Sequence, residues 1–155
     1  MNNVARMLRV GNGVAVDLDQ SVTWFKRAIE AGNAYAPYEL GRMYRRGWHL
    51  ERDPRHAVAL FRLAADRGFV EAYTEIAEMY ETGDGVAADP IEAYYYFDLA
   101  AEVGRLREAT FSHPPAEAGL ARLDGSLGAE QRAAVEARVA EELRLRGFIP
   151  PKAPI

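Results

Sequence analysis

The sequence predicts an all-α fold, an α-α superhelix (solenoid) of three helix-pair repeats with a divergent C-terminal capping helix pair. Two sets of observations predict it. Gly11, Gly47 and Gly83 stand 36 residues apart, as do Asp17, Asp53 and Asp89, and again Gly32, Gly68 and Gly104. The same offset aligns Trp24, Leu60 and Tyr96, then Phe25, Phe61 and Phe97, then Ala28, Ala64 and Ala100. A fixed period of this length means stacked supersecondary units, none of which can bury its apolar face alone. The repeats run over about 1–32, 33–68 and 69–104, giving a single domain to about residue 146.

The first helix of each repeat is written as one apolar stripe. Ala36, Leu40, Met43 and Tyr44 fall at i, i+4, i+7 and i+8; Ala72, Ile76, Met79 and Tyr80 repeat the pattern, and Val4, Met7 and Leu8 take the matching places in repeat one. Gly11, Gly47 and Gly83 end these helices, since a left-handed C-terminal residue is cheapest without a side chain. The loops that follow read Gly11-Asn12-Gly13-Val14 and Gly83-Asp84-Gly85-Val86, while Gly47-Trp48-His49-Leu50 is the deviant copy.

An aspartate then opens each second helix. Asp53-Pro54 and Asp89-Pro90 place a cap acceptor before a proline whose missing N–H is not needed there; Asp17 keeps the cap without the proline. Ser21, Trp24, Phe25 and Ala28 follow at i, i+3, i+4 and i+7, as do Ala57, Leu60, Phe61 and Ala64, then Ala93, Tyr96, Phe97 and Ala100. Gly32, Gly68 and Gly104 are expected to close these helices.

Strict phase fails beyond repeat three, where Ser112 and His113 fall at the Leu40-Gly41 positions. Residues 105–114 read as an interruption, and capping helices are expected over about 115–146. The first starts at Pro115 and ends near Gly125, with Ala118, Ala121, Leu120 and Leu123 as its apolar residues. Leu127-Gly128-x-Glu130-Gln131 opens the second, in which Val135, Val139 and Leu143 recur every four residues and Arg132, Glu136, Arg138, Glu141 and Glu142 form a charged outer side. The Pro-rich segment 147–155 cannot continue a helix and favours an extended form. Two readings stand for it: a loose tail, or packing of Phe148, Ile149 and Ile155 on this chain or a neighbour.

Leu40-Gly41-x-x-Tyr44-x-x-Gly47 followed by Asp53-x-x-x-Ala57-x-x-x-Phe61-x-x-Ala64-Ala65-x-x-Gly68 resembles the Sel-one-like repeat, a short relative of the tetratricopeptide repeat. Gly83-Asp84-Gly85-Val86 through Ala100-Ala101 is a closer match. Trp48 and His49 depart from the family's preference for a small residue and glycine, so a different loop shape is expected there. The resemblance implies a right-handed superhelix of antiparallel helix pairs that serves as a scaffold or adaptor, and the helix opened by Leu127-Gly128-x-Glu130-Gln131 is similar to the divergent terminal pair that often ends members of the family.

Composition narrows the function. With 155 residues and 49% hydrophobic content the chain can bury a continuous core, which excludes global disorder. The absence of cysteine removes disulfides, thiolate zinc sites and cysteine nucleophiles. A net charge of -4 argues against nucleic acid or an anionic membrane as partner, since both need a dominant positive field. No apolar run reaches the roughly 20 residues of a membrane span. Met1 to Val10 carries charge where a signal peptide needs an apolar stretch, so a cytoplasmic chain is expected, or a periplasmic one if an upstream leader has been removed.

The positions between core residues of the first helices are the candidate recognition surface, because first helices line the concave wall of such solenoids. Arg6, Arg42 and Glu78 align, as do Arg9, Arg45 and Glu81, with Arg46 and Glu75 adding to the same polarity. Guanidinium forks would take acidic residues of a partner protein or peptide, Glu78 and Glu81 its basic end, and Tyr35 and Tyr38 would add aromatic contact. The competing reading is a solvated ladder of ion pairs between neighbouring helices, in which Arg42 or Arg45 pairs with Glu78 or Glu81. Self-assembly through the first helix or the tail is the alternative from a different class. Tyr94-Tyr95-Tyr96-Phe97 has core-packing spacing, with a second contact surface as the other option.

An enzyme is the third choice. His49, His56 and His113 show no metal-ligand spacing, and Ser21, Ser112 and Ser126 lack an orienting acid and oxyanion hole in sequence. Gly83-Asp84-Gly85 has no following Lys-Ser/Thr and lies between helices, so it is a turn and not a phosphate cradle. No catalytic residue, metal or cofactor is assigned.

Overall fold

The computed structural model describes residues 2–11, 15–107 and 114–149. Among them there are eight helices and no strand: α1 (Asn2–Val10), α2 (Leu18–Glu30), α3 (Tyr35–Arg46), α4 (Pro54–Asp66), α5 (Glu71–Thr82), α6 (Pro90–Arg107), α7 (Pro114–Leu123) and α8 (Ala129–Leu145). The chain divides into two compact units, Met1–Ala72 with Asp84–Val86, and Tyr73–Gly83 with Ala87–Ile155. The Asn12-Gly13-Val14 turn, Ser112, His113 and the tail from Pro150 to Ile155 lie outside the described residues.

The start and stop signals act as the local rules require. Asp17 accepts the N–H of Gln20 at 2.9 Å, Asp53 that of His56 at 3.0 Å, and Asp89 those of Ile91 and Glu92 at 2.9 and 3.1 Å. Each aspartate also works backwards. Its own N–H donates to a carbonyl in the last turn of the preceding helix, Asp17 to Leu8 (2.9 Å), Asp53 to Tyr44 (3.0 Å) and Asp89 to Tyr80 (2.9 Å). One residue therefore opens the second helix of a pair and fastens it to the first. Gly11, Gly47 and Gly83 adopt left-handed φ of 72°, 69° and 74° at the first-helix ends.

In the first unit, Ala5, Val22, Phe25, Ala28, Ala36, Leu40, Met43 and Leu60 form one buried cluster. Phe61 is fully buried, and Gly41 makes room for it: a Cβ there would lie 2.8 Å from the ring. Ser21, which replaces the alanine of the other repeats, is buried without penalty because its hydroxyl donates to the Ala5 carbonyl at 2.8 Å. Arg67 donates to the carbonyls of Ile29 and Asn33 at 3.0 and 3.1 Å, so its cation caps the C-terminal end of α2.

In the second unit Ile76, Met79, Phe97, Leu99 and Val103 are buried. The aromatic run packs as its spacing suggests: Phe97 and Tyr95 are buried, and Tyr96 stacks on Tyr80 with ring centroids 5.7 Å apart. The Arg138 guanidinium lies 3.8 Å above the Tyr95 ring and is held there by Glu92. Val135, Val139 and Leu143 bury the inner face of α8, as the four-residue recurrence predicts. Gln131 Oε1 accepts the N–H of Gly128 at 2.9 Å at its start, half of a capping box, since glycine has no side chain to return the bond.

Several expectations are corrected. Gly104 closes nothing; it is buried inside α6, which runs on to Arg107. Gly32 and Gly68 reach φ of 81° and 87° and are followed by residues whose N–H groups bond back to Ala28 and Ala64, whereas Gly104 is followed by the helix formers Arg105-Leu106-Arg107. The interruption is correspondingly shorter than 105–114, with 105–107 in α6 and Pro114 in α7. The Trp48-His49 loop keeps the left-handed residue of the third repeat's loop: His49 takes φ 64° where Gly85 takes 79°. Val4 and Met7 do not repeat the buried stripe and are 41% and 37% exposed, no described helix covering that side of α1; Ala5 is the buried residue. On α7 the buried stripe is Ala116, Gly119 and Leu123, with Ala118 and Ala121 exposed, because Gly119 must face Phe97: a Cβ there would lie 2.5 Å from the ring. The charged side of α8 is only partly solvated, since Arg132 pairs with Asp124 and Arg138 with Glu92. At the tail, Gly147 (φ 74°) ends α8 and the N–H of Phe148 returns to the Leu143 carbonyl at 2.8 Å, so Phe148 and Ile149 pack on their own chain.

Candidate interaction surface

In the first unit the predicted surface residues sit on α1 and α3. Their centre is a residue that the apolar stripe passed over. Glu39 follows Ala36 by three positions, so α3 carries it on its buried side, and it is only 3% exposed. A lone carboxylate there would be costly, and three groups offset the cost. Arg9 on α1 approaches it at 3.3 Å, Arg42 on the next turn of α3 at 3.6 Å, and the Tyr35 hydroxyl donates to Oε1 at 2.6 Å. Burial and that bond to Glu39 push the Tyr35 hydroxyl up to about 12, so it stays a donor.

Arg45 is also engaged. It pairs with Asp84 at 3.3 Å, and Arg52 reaches the other oxygen of the same carboxylate. Tyr35 and Tyr38 contribute less open surface than expected, because both rings pack on Phe69, at 5.4 and 4.7 Å between centroids. Of the predicted cations, Arg6 and Arg46 remain exposed. The Arg46 guanidinium lies 4.6 Å from the Trp48 ring and that of Arg42 5.8 Å from the same ring, while Trp48 is 43% exposed. The sequence did signal Trp48, since it stands where the other repeats have Asn12 and Asp84, yet its role as the aromatic of an arginine pair needed the fold.

In the second unit Glu75, Glu78 and Glu81 are half-buried on α5. Both oxygens of Glu81 accept from Arg122 on α7, at 3.0 and 2.8 Å, which holds its carboxyl below the usual range. Arg122 was not foreseen as its partner because α7 lies beyond the regular repeats. His49 Nε2 lies 2.9 Å from Asp19, and the His56 ring packs edge-on against Tyr44. Among the described residues no group of His, Asp or Glu is placed to hold a metal ion, and no helix is long and apolar enough to cross a membrane.

The repeat register is matched from outside the chain. The family model of the Sel1 repeat fits residues 1–33, 34–69 and 70–104. The chain belongs to the Sel1 repeat family. Among solved structures, a Sel1 repeat protein from Oxalobacter formigenes superposes with a TM-score of 0.71 at 25% identity, covering 90% of this chain and 56% of that one. The protective antigen c5321 of uropathogenic Escherichia coli strains, described as displaying an SLR fold, gives a TM-score of 0.61 at 18% identity over 99% of this chain and 41% of its own. This chain thus spans little more than half the length of the first of these structures and less of the second. No curated protein sequence matches it significantly. Sel1 repeats are generally protein-interaction scaffolds of a non-catalytic type. α7 and α8 lie outside the three matched repeats.

Proposed function

We propose that this Sel1 protein is an adaptor whose α1 and α3 surface binds a partner protein or peptide through an acidic segment. Trp48 carries the reading: an exposed tryptophan flanked by Arg42 and Arg46 is the residue combination that anchors protein interfaces. Glu39 and Asp84 hold Arg9, Arg42 and Arg45 in fixed geometry, so these cations frame the surface, and the freer Arg6 and Arg46 make the direct acidic contacts. Glu81 is already committed to Arg122 and is left out of the proposed contacts.

The test is Trp48→Ala, titrated with an extended glutamate-rich peptide. Binding weakened about tenfold, with unchanged helical circular dichroism, is expected for an anchor worth about 1.4 kcal/mol or more. Unchanged affinity would remove Trp48 from the site. A second reading, association between copies, rests on the exposed Val4, Met7 and Val10 of α1. A sedimentation coefficient that rises with concentration and is restored to the monomer value by Met7→Glu would favour it.

A further inference from the structure

A cleft of about 370 Å³ opens between α6 and α8 in the second unit, a volume in the range of small-ligand sites. Its floor is apolar, made by Val139 and Leu143 of α8 and by Ile149 just beyond it. Its rim carries three carboxylates, Asp98 and Glu102 from α6 and Glu136 from α8. One cation, Arg105, stands among them, and it pairs with Glu102. Asp98 and Glu136 have neither a hydrogen bond nor an ion pair among the described residues. The lining is therefore an apolar trough with three carboxylates and one cation, a net negative charge, at its edge.

We propose that this cleft receives a lysine or arginine side chain from a partner protein. Such a side chain has the two parts the lining asks for. Its methylene stem covers Leu106, Ala140 and Ile149, which keep open apolar surface above the buried Val139 and Leu143, and its cation reaches Asp98 and Glu136. Neither a neutral apolar group nor an anion satisfies both. The state of Asp98 agrees with a cation site: burial first, then Glu102 and Glu136, push its carboxyl up to about 6, against the opposing pull of Arg105. Tyr94 is the other titratable group of α6 near it. The contact is independent of the α1 and α3 surface and opposite to it in charge, so one can fail while the other stands.

The probe is a capped Ala-Lys-Ala peptide, with norleucine in place of lysine as the isosteric control, followed by amide shifts of the full chain in NMR. Saturable shifts confined to residues around Asp98, Glu136 and Val139 are expected for the lysine peptide alone. A bound cation needs ionised Asp98, so affinity at about pH 5 is expected to be about tenfold weaker than at about pH 7.5. Asp98→Asn should abolish that pH dependence and weaken binding at neutral pH while leaving the fold intact. Equal shifts with the norleucine peptide, no shifts with either, or a pH profile unchanged by Asp98→Asn would overturn the proposal. Binding that emerges only after deletion of residues 150–155 would also overturn it, by assigning the cleft to the chain's own Lys152.

Discussion

Two residues in equivalent loops show how much a single position carries. His49 and Gly85 both take left-handed φ, but only Gly85 is glycine, and a Cβ there would lie 2.6 Å from the backbone of Pro54. A non-glycine residue in that region carries a strain of about 1–3 kcal/mol. His49 recovers little of it, because its partner Asp19 is almost fully exposed. His49→Gly is therefore expected to stabilise the protein by about 0.5–1 kcal/mol, the glycine's extra unfolded-state freedom taking back part of the gain. Gly85→Ala is expected to cost about 2 kcal/mol or more, adding a clash to the strain. Urea unfolding followed by tryptophan fluorescence measures both, and the reverse order would refute the reading. At this scale caps and turn glycines were legible in the sequence because each depends on its immediate neighbours. Glu39 was not, since its burial depends on Arg9, thirty positions earlier, and Gly104 was misread because its phase matched while the residues after it favoured helix.

Between elements, small residues decide how closely helices approach. Gly119 on α7 faces the fully buried Phe97 of α6, and a Cβ there would stand 2.5 Å from the ring. Alanine is the better helix former by about 1 kcal/mol in an exposed site, yet here the overlap should dominate. Gly119→Ala is expected to destabilise the second unit by about 1–3 kcal/mol, because the added methyl would overlap a fully buried ring. A midpoint that rises in the same unfolding experiment would mean that α7 can shift outward at no cost. The second-helix stripes were legible, since small residues flank a pair of large apolar ones in all three copies. The stripes of α1 and α7 were not, because the apolar count alone does not say which side a neighbouring helix covers.

For the molecule as a whole, the 36-residue register was enough to place three helix pairs, and the Sel1 match confirms it, since the same turns, caps and core positions recur in every copy. The fourth pair escaped that register and had to be found from its own punctuation, Pro114-Pro115 and Gly128. The interaction surface was legible as a charge pattern and incomplete as a site: sequence placed the arginines, whereas which of them already have carboxylate partners is a property of the folded chain. That difference selects the variants. Reversing Arg42 or Arg45 would set a new carboxylate against Glu39 or Asp84, but Arg6 and Arg46 can be reversed without breaking a described ion pair. The most direct measurement is calorimetric titration of the glutamate-rich peptide into the wild type and Arg6→Glu/Arg46→Glu, at about 50 and 300 mM salt. The adaptor account predicts wild-type binding that weakens with salt, as exposed charge contacts do. It also predicts at least about tenfold weaker binding by the double variant, with an unchanged unfolding midpoint. Equal affinity in both proteins, without salt dependence, would contradict it.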